Sequence, residues 1–230
     1  MEKVMMTIVL VHGAFSDGSS WDKVVPLLQA KGFHVVAVQN PLTSLADDVA
    51  SVRRVIDAQK GPVVLVGHSW AGTVITEAGT DDKVAALVYV AAFAPDAGET
   101  SGDLGKNLPP PPGSATIYAD NAGFLYLSPE GVANNFAQDL PPAQTRVLAA
   151  TQGPIFGKSF GEAVNNAAWK TKPSWYIVAE KDRMIQPDLQ RAMAKKINAK
   201  VTSLPTSHVP MQSRPKDVAA VIAAAAANGN

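Results

Sequence analysis

Val63-Val64-Leu65-Val66-Gly67-His68-Ser69-Trp70-Ala71-Gly72 carries four apolar residues straight into a glycine-flanked serine. The apolar run is too hydrophobic to alternate, so it reads as a strand buried on both faces, the signature of a parallel sheet. Thr73-Val74-Ile75 then continues in a helical pattern, so the chain turns sharply from strand to helix with Ser69 at the tip. A serine held there has its hydroxyl lifted clear of the backbone and the positive end of a helix beneath it, as a nucleophile requires. The spacing is that of a G-x-S-x-G elbow with Ala71 in place of the second glycine. The added methyl is small, and Gly72 relieves the next position.

Outward from this stretch, apolar runs alternate with helical patterns. Strands are expected at 7–11, 34–38, 63–66, 85–93, 175–179 and 200–204, and helices at 21–30, 45–59, 71–79 and 187–198. A closing helix starts at Pro215, with Ser213 as its expected cap, and runs through the alanines. Such repetition implies an α/β fold: a doubly wound, mostly parallel sheet of about six strands in one domain over residues 1–230.

The rhythm breaks once, between 96 and 169. Pro109-Pro110-Pro111-Pro112-Gly113, Gly123, Pro129, Gly131 and Pro141-Pro142 interrupt this segment, and no long apolar strand occurs in it. Its aromatics (Phe124, Tyr126, Phe136, Phe156 and Phe160) argue against a floppy linker. It is expected to form a small helical cap over the sheet, with helices at 141–151 and 158–168.

Composition narrows the chemistry. The chain has 47% hydrophobic and 17% charged residues and zero formal charge, which favours neither nucleic acid nor an anionic membrane surface. There is no cysteine, so disulfides, thiolate catalysis and cysteine metal sites are excluded. No segment approaches the roughly 18 apolar residues of a membrane span, and Met1–Met6 lacks the apolar region of a leader, so the cytoplasm is the default compartment. No P-loop, G-x-G-x-x-G or His-x-x-x-His pair occurs, so no metal or phosphate site is expected. Asp47-Asp48 and Asp81-Asp82 read as solvated helix-end charges.

A serine hydroxyl needs a neighbouring base, and only four histidines are available. His208 follows the last expected strand, which brings it to the carboxyl edge of a parallel sheet beside Ser69. His34 starts a strand at the opposite end, His12 belongs to a loop, and His68 should diverge from its neighbour Ser69. The imidazole in turn needs a carboxylate. Asp182 ends the preceding strand, and the chain order Ser69, Asp182, His208 suits it; Asp96 and Glu180 are the rivals. Charge developing on a carbonyl oxygen requires preorganised N–H donors. The Trp70 amide and that of Ala14, in His12-Gly13-Ala14-Phe15, are placed to supply them.

Together these motifs, with Trp21 and Ser207-His208-Val209-Pro210-Met211, resemble the α/β-hydrolase superfamily across the whole chain. More narrowly they resemble compact bacterial esterase-like members related to plant methylesterases and hydroxynitrile lyases. The resemblance implies cofactor-independent hydrolysis; the expected partner is a small-molecule ester substrate, and the expected state a monomer or homodimer. Lyases of that group place a lysine after the catalytic histidine; Val209 stands there and gives cyanide no partner. Phe15, Phe124, Tyr126, Phe136 and Phe156 are the expected walls of an apolar pocket beneath the cap. Perhydrolysis, lactone or carbon–carbon bond hydrolysis on the same triad, or ligand binding without catalysis, are the alternatives.

Overall fold

A computed structural model describes residues 5–228; most of the opening segment read for a leader lies outside them. Strands β1 (Thr7–Val11), β2 (His34–Val38), β3 (Val63–His68) and β4 (Val84–Val90) come first. Three short strands follow, β5 (Ile117–Ala119), β6 (Phe124–Leu127) and β7 (Ile155–Phe156), then β8 (Ser174–Ala179) and β9 (Lys200–Leu204). The helices are α1 (Val25–Gln29), α2 (Leu45–Asp57), α3 (Ala71–Ala78), α4 (Pro129–Gly131), α5 (Pro142–Thr151), α6 (Pro187–Lys196), α7 (Pro210–Ser213) and α8 (Pro215–Ala227).

Six strands form the expected parallel sheet in the order β2-β1-β3-β4-β8-β9. Helices α1 and α8 pack together against it, as do α2 and α3, so the sheet is doubly wound. Every residue of β1, β3 and β8 is buried. The edge strands β2 and β9 leave most positions partly or fully exposed, because each has a neighbour on one side only. From β1 the chain steps outward to β2, then returns past β1 to β3 and continues the other way. The switch in direction lies between β1 and β3, whose carboxyl ends open a crevice there.

Several boundaries differ from expectation. The helix expected at 21–30 divides into a 3₁₀ turn at Gly18–Trp21 and the short α1, which begins at Val25. The strand expected to reach 93 stops at Val90, since Ala91 takes φ 45° and turns the chain. Ser213 does not cap α8; it closes α7, its hydroxyl donating to Val209 O at 3.2 Å, and Arg214 stands at the cap position.

The inserted segment differs most. The helix at 141–151 forms as α5, but β5, β6 and β7 make a small antiparallel sheet where no strand was expected. Its hairpin turns on Asp120, whose Oδ1 accepts from the amides of Ala122 and Phe124 at 2.9 Å each. The region 158–168 is not one helix. A 3₁₀ turn at Gly157–Gly161 gives way to extended chain pairing Ala163 with Thr100. The Glu77 carboxylate then takes the Asn165 and Asn166 amides at 2.6 and 3.1 Å, donors a helix would have used.

Candidate active site

The site forms along the carboxyl rim of the sheet, from loops after β1, β3, β8 and β9. After β3 the chain makes the sharp turn, and Ser69 sits at φ 55°, a left-handed conformation costly for a residue with a Cβ. Packing holds it there. The segment leaving β4 crosses beside the elbow, Phe93 N donating to Ser69 O at 3.2 Å and Ser69 N to Val90 O at 3.2 Å. A Cβ on Gly72 would lie 2.0 Å from Phe93 O, so close approach demands glycine at 72 while Ala71 fits in full burial. Tyr176 fixes the crossing segment by bonding both the N–H and the C=O of Ala92.

His208 Nε2 lies 2.7 Å from Ser69 Oγ, and its Nδ1 lies 2.6 Å from Asp182 Oδ2. All three residues are buried, Ser69 being 8% exposed. Asp182 is held on several sides: Oδ1 accepts from the Met184 and Ile185 amides at 2.7 and 2.9 Å, and Oδ2 accepts from Gln190 Nε2 at 2.8 Å. Gln190, fully buried on α6, also donates to Ile185 O at 2.8 Å and accepts from Ala179 N at 2.9 Å. Nothing in the sequence distinguished Gln190. The rival acids lie elsewhere: Asp96 pairs with Lys170 at 2.5 Å, and Glu180 pairs with Arg191.

His68 diverges from Ser69 as expected and supports His208 instead. Its Nε2–H donates to His208 O at 2.6 Å, and the two rings stand 4.8 Å apart. Full burial, then the neighbouring His208, hold its pKa well below the ordinary histidine value. A neutral His68 spares the His208 ring a second positive charge when it takes a proton. Trp21 and Phe136 pack edge-on against His68, at 6.4 Å each.

The loop after β1 lies against the elbow. A Cβ on Gly13 would come within 2.8 Å of His68 O and 2.9 Å of the Ser69 Cβ. Phe15 N is already committed to Gly153 O at 2.8 Å.

Of the aromatics expected to wall a pocket, Phe136 stands 5.3 Å from the His208 ring and Phe15 6.5 Å from Phe136. Phe124, Tyr126 and Phe156 lie in the small sheet, Phe124 against Phe156 at 5.4 Å and Tyr126 stacked on Tyr118 at 5.6 Å. Phe160 instead meets the Trp70 ring, at 5.4 Å.

One reading of the sequence is overturned. Asp47 and Asp48 were expected to be alike, and Asp47 is exposed, with Thr43 Oγ1 donating to its side chain. Asp48 is fully buried and accepts from Leu42 N at 2.8 Å, Trp70 Nε1 at 2.9 Å and Asn40 Nδ2 at 3.1 Å. Successive helical residues point about 100° apart, so the second aspartate faces the core.

The chain is similar to known proteins. A family model described as the alpha/beta hydrolase family matches residues 8–221. A pyrethroid hydrolase of Sphingobium wenxiniae is 29% identical over 252 residues, covering 94% of this chain and 86% of its own. Methylesterase 1 of Arabidopsis thaliana is 26% identical over 256 residues, covering 94% of each chain. The crystal structure of a pyrethroid hydrolase from Sphingobium faniae superposes with a TM-score of 0.83 at 27% identity, over 97% of this chain and 98% of that one. No helix among the described residues is long and apolar enough to cross a membrane.

Proposed function

The chain belongs to the alpha/beta hydrolase family, and on that premise we propose that it is a serine carboxylesterase acting on small-to-medium esters with apolar substituents. Ser69 Oγ attacks the acyl carbon while His208 Nε2 accepts its proton, and Asp182 stabilises the imidazolium. The carbonyl oxygen, now an anion, rests on the Ala14 and Trp70 amides. The tetrahedral intermediate collapses, the C–O bond breaks, and His208 returns the proton to the departing alcohol. Water, deprotonated by the same imidazole, attacks the acyl-serine; a second collapse frees the acid and restores Ser69. No cofactor enters the sequence.

One observation carries this reading: the continuous relay from Ser69 Oγ to His208 at 2.7 Å and from His208 to Asp182 at 2.6 Å, with the serine on a left-handed elbow. Phe136 beside His208, with Phe15 packed against Phe136, supports an ester with hydrophobic groups. The relatives named for pyrethroid and methyl ester hydrolysis support it from outside. Ser69→Ala is expected to abolish hydrolysis of a p-nitrophenyl ester while leaving the circular dichroism spectrum and Tm unchanged. Hydrolysis at the wild-type rate in that variant overturns the proposal.

A further inference from the structure

The buried carboxylate of Asp48 takes no part in the proton relay. A fully buried aspartate is an expensive group, and burial pushes its carboxyl above the usual range despite the hydrogen bonds that oppose it. Its three donors are the Leu42 amide, the Asn40 side-chain amide and the Trp70 indole, all neutral. A group with four acceptor sites and no proton to offer matches three converging donors; an asparagine would turn an N–H₂ against at least one of them.

What these donors belong to is informative. Trp70 follows the nucleophile, and its backbone amide is one of the two assigned to the oxyanion. Its indole reaches Asp48 Oδ2 at 2.9 Å, while Phe160 packs edge-on against the ring. Asn40 Nδ2, bonded to the same Oδ2 at 3.1 Å, also donates to His12 O at 3.3 Å. His12 opens the loop whose Ala14 amide is the other oxyanion donor. Leu42, held through its amide by Oδ1, has φ 61° and accepts from Phe156 N at 2.8 Å. One carboxylate thus bonds the elbow after β3 directly and, through Asn40, the loop after β1.

We propose that Asp48 is a positioning residue for the oxyanion hole: it fixes the spacing of the Ala14 and Trp70 amides by tying Trp70 to the His12–Ala14 loop. The proposal rests on the reading of those two amides as the oxyanion donors. Because Asp48 does not touch substrate, its contribution falls on the step in which the carbonyl oxygen becomes an anion and moves toward the donors. Substrate binding in the ground state depends on it little.

The test uses Trp70→Phe, which keeps the backbone amide and an aromatic ring but removes the indole donor, together with Asp48→Asn and the double variant. Complete loss of one oxyanion donor costs about a hundredfold or more in kcat, and misplacement costs part of that. Each single variant is expected to lose roughly tenfold in kcat on a p-nitrophenyl ester, with KM changed less than about threefold. Each should lose a similar factor in affinity for an alkyl trifluoromethyl ketone, which forms a tetrahedral adduct on Ser69. The double variant should fall no lower than the worse single one, because both changes cut the same tether. Trp70→Phe decides alone if Asp48→Asn lowers Tm substantially.

A folded Trp70→Phe with wild-type kcat and ketone affinity, an effect confined to KM, or additive losses in the double variant would each overturn the proposal. If Ser69→Ala is inactive and these variants are unaffected, only the role of Asp48 fails. If Ser69→Ala remains active, the esterase reading fails with it.

Discussion

The two halves of the site are built differently. The half proposed to carry the nucleophile, at the ends of β1 and β3, is held chiefly by backbone fit, with Gly13 against Ser69 Cβ, Gly72 against Phe93 O and the elbow in a left-handed conformation; the Asp48 carboxylate adds a side-chain tether through Trp70 and Asn40. The half proposed to carry the acid and base, at the ends of β8 and β9, is held by side-chain hydrogen bonds. Gln190 grips Asp182, and the inserted segment supplies several more. Gln138 Nε2 donates to Lys181 O at 2.7 Å, Asp139 Oδ2 accepts from Ser207 N at 2.9 Å, and Asn135 Oδ1 accepts from Arg183 Nε at 2.8 Å. The contrast follows from what each half must do. A strained serine persists only where its surroundings leave no alternative, whereas an aspartate and a histidine in ordinary conformations need only be aimed. Close packing is the main device in the first half and tethers in the second.

Short of removing Ser69 itself, the largest effect expected from breaking either half is that of Asp182→Asn. It keeps the shape but favours the wrong imidazole tautomer, and kcat should fall on the order of ten-thousandfold, as in serine proteases. A loss of that size from Asp96→Asn instead would assign the acid elsewhere. Next comes Gly72→Ala, which drives a methyl into Phe93 O. Overpacking at backbone costs about 3 kcal/mol, so Tm should drop and reaction at Ser69 slow together. An unchanged Tm would show that the elbow is not held by steric fit. Smallest in rate is Gln190→Leu: of the three hydrogen bonds it removes, those with Ile185 O and Ala179 N lower Tm, and the one to the charged Asp182 is worth roughly 1.5 kcal/mol or tenfold in rate. Here kcat should fall with KM unchanged, and equal losses in stability and KM without a change in kcat would mark Gln190 as structural alone.

The same contrast governs how much the sequence disclosed. The parallel strands were legible because the central ones are largely apolar runs with almost every residue buried, as in Val63–His68. Ser69 was legible because a strained turn requires small neighbours, and His208 because so few histidines compete with it. The small sheet was not legible. Its strands span two to four residues and are partly exposed, leaving only the turn at Asp120–Gly123 as a signal. The region 158–168 misled because Glu77, distant in sequence, captures the amides that would have continued a helix. Asp48 and Gln190 escaped for a common reason. Each is a polar residue on an amphipathic helix, and facing the core instead of solvent is a matter of one position in the helical turn.

The central claim is that Ser69 is the nucleophile and His208 its base, and trapping the acyl-enzyme analogue tests it most directly. Wild-type protein and His208→Ala would be treated with an alkyl fluorophosphonate and the adduct mapped by peptide mass spectrometry. The account predicts one stoichiometric adduct on Ser69 in the wild type, with its formation slowed at least about a hundredfold in His208→Ala, as befits loss of a general base. An adduct on another residue, or labelling at the same rate without His208, would contradict it.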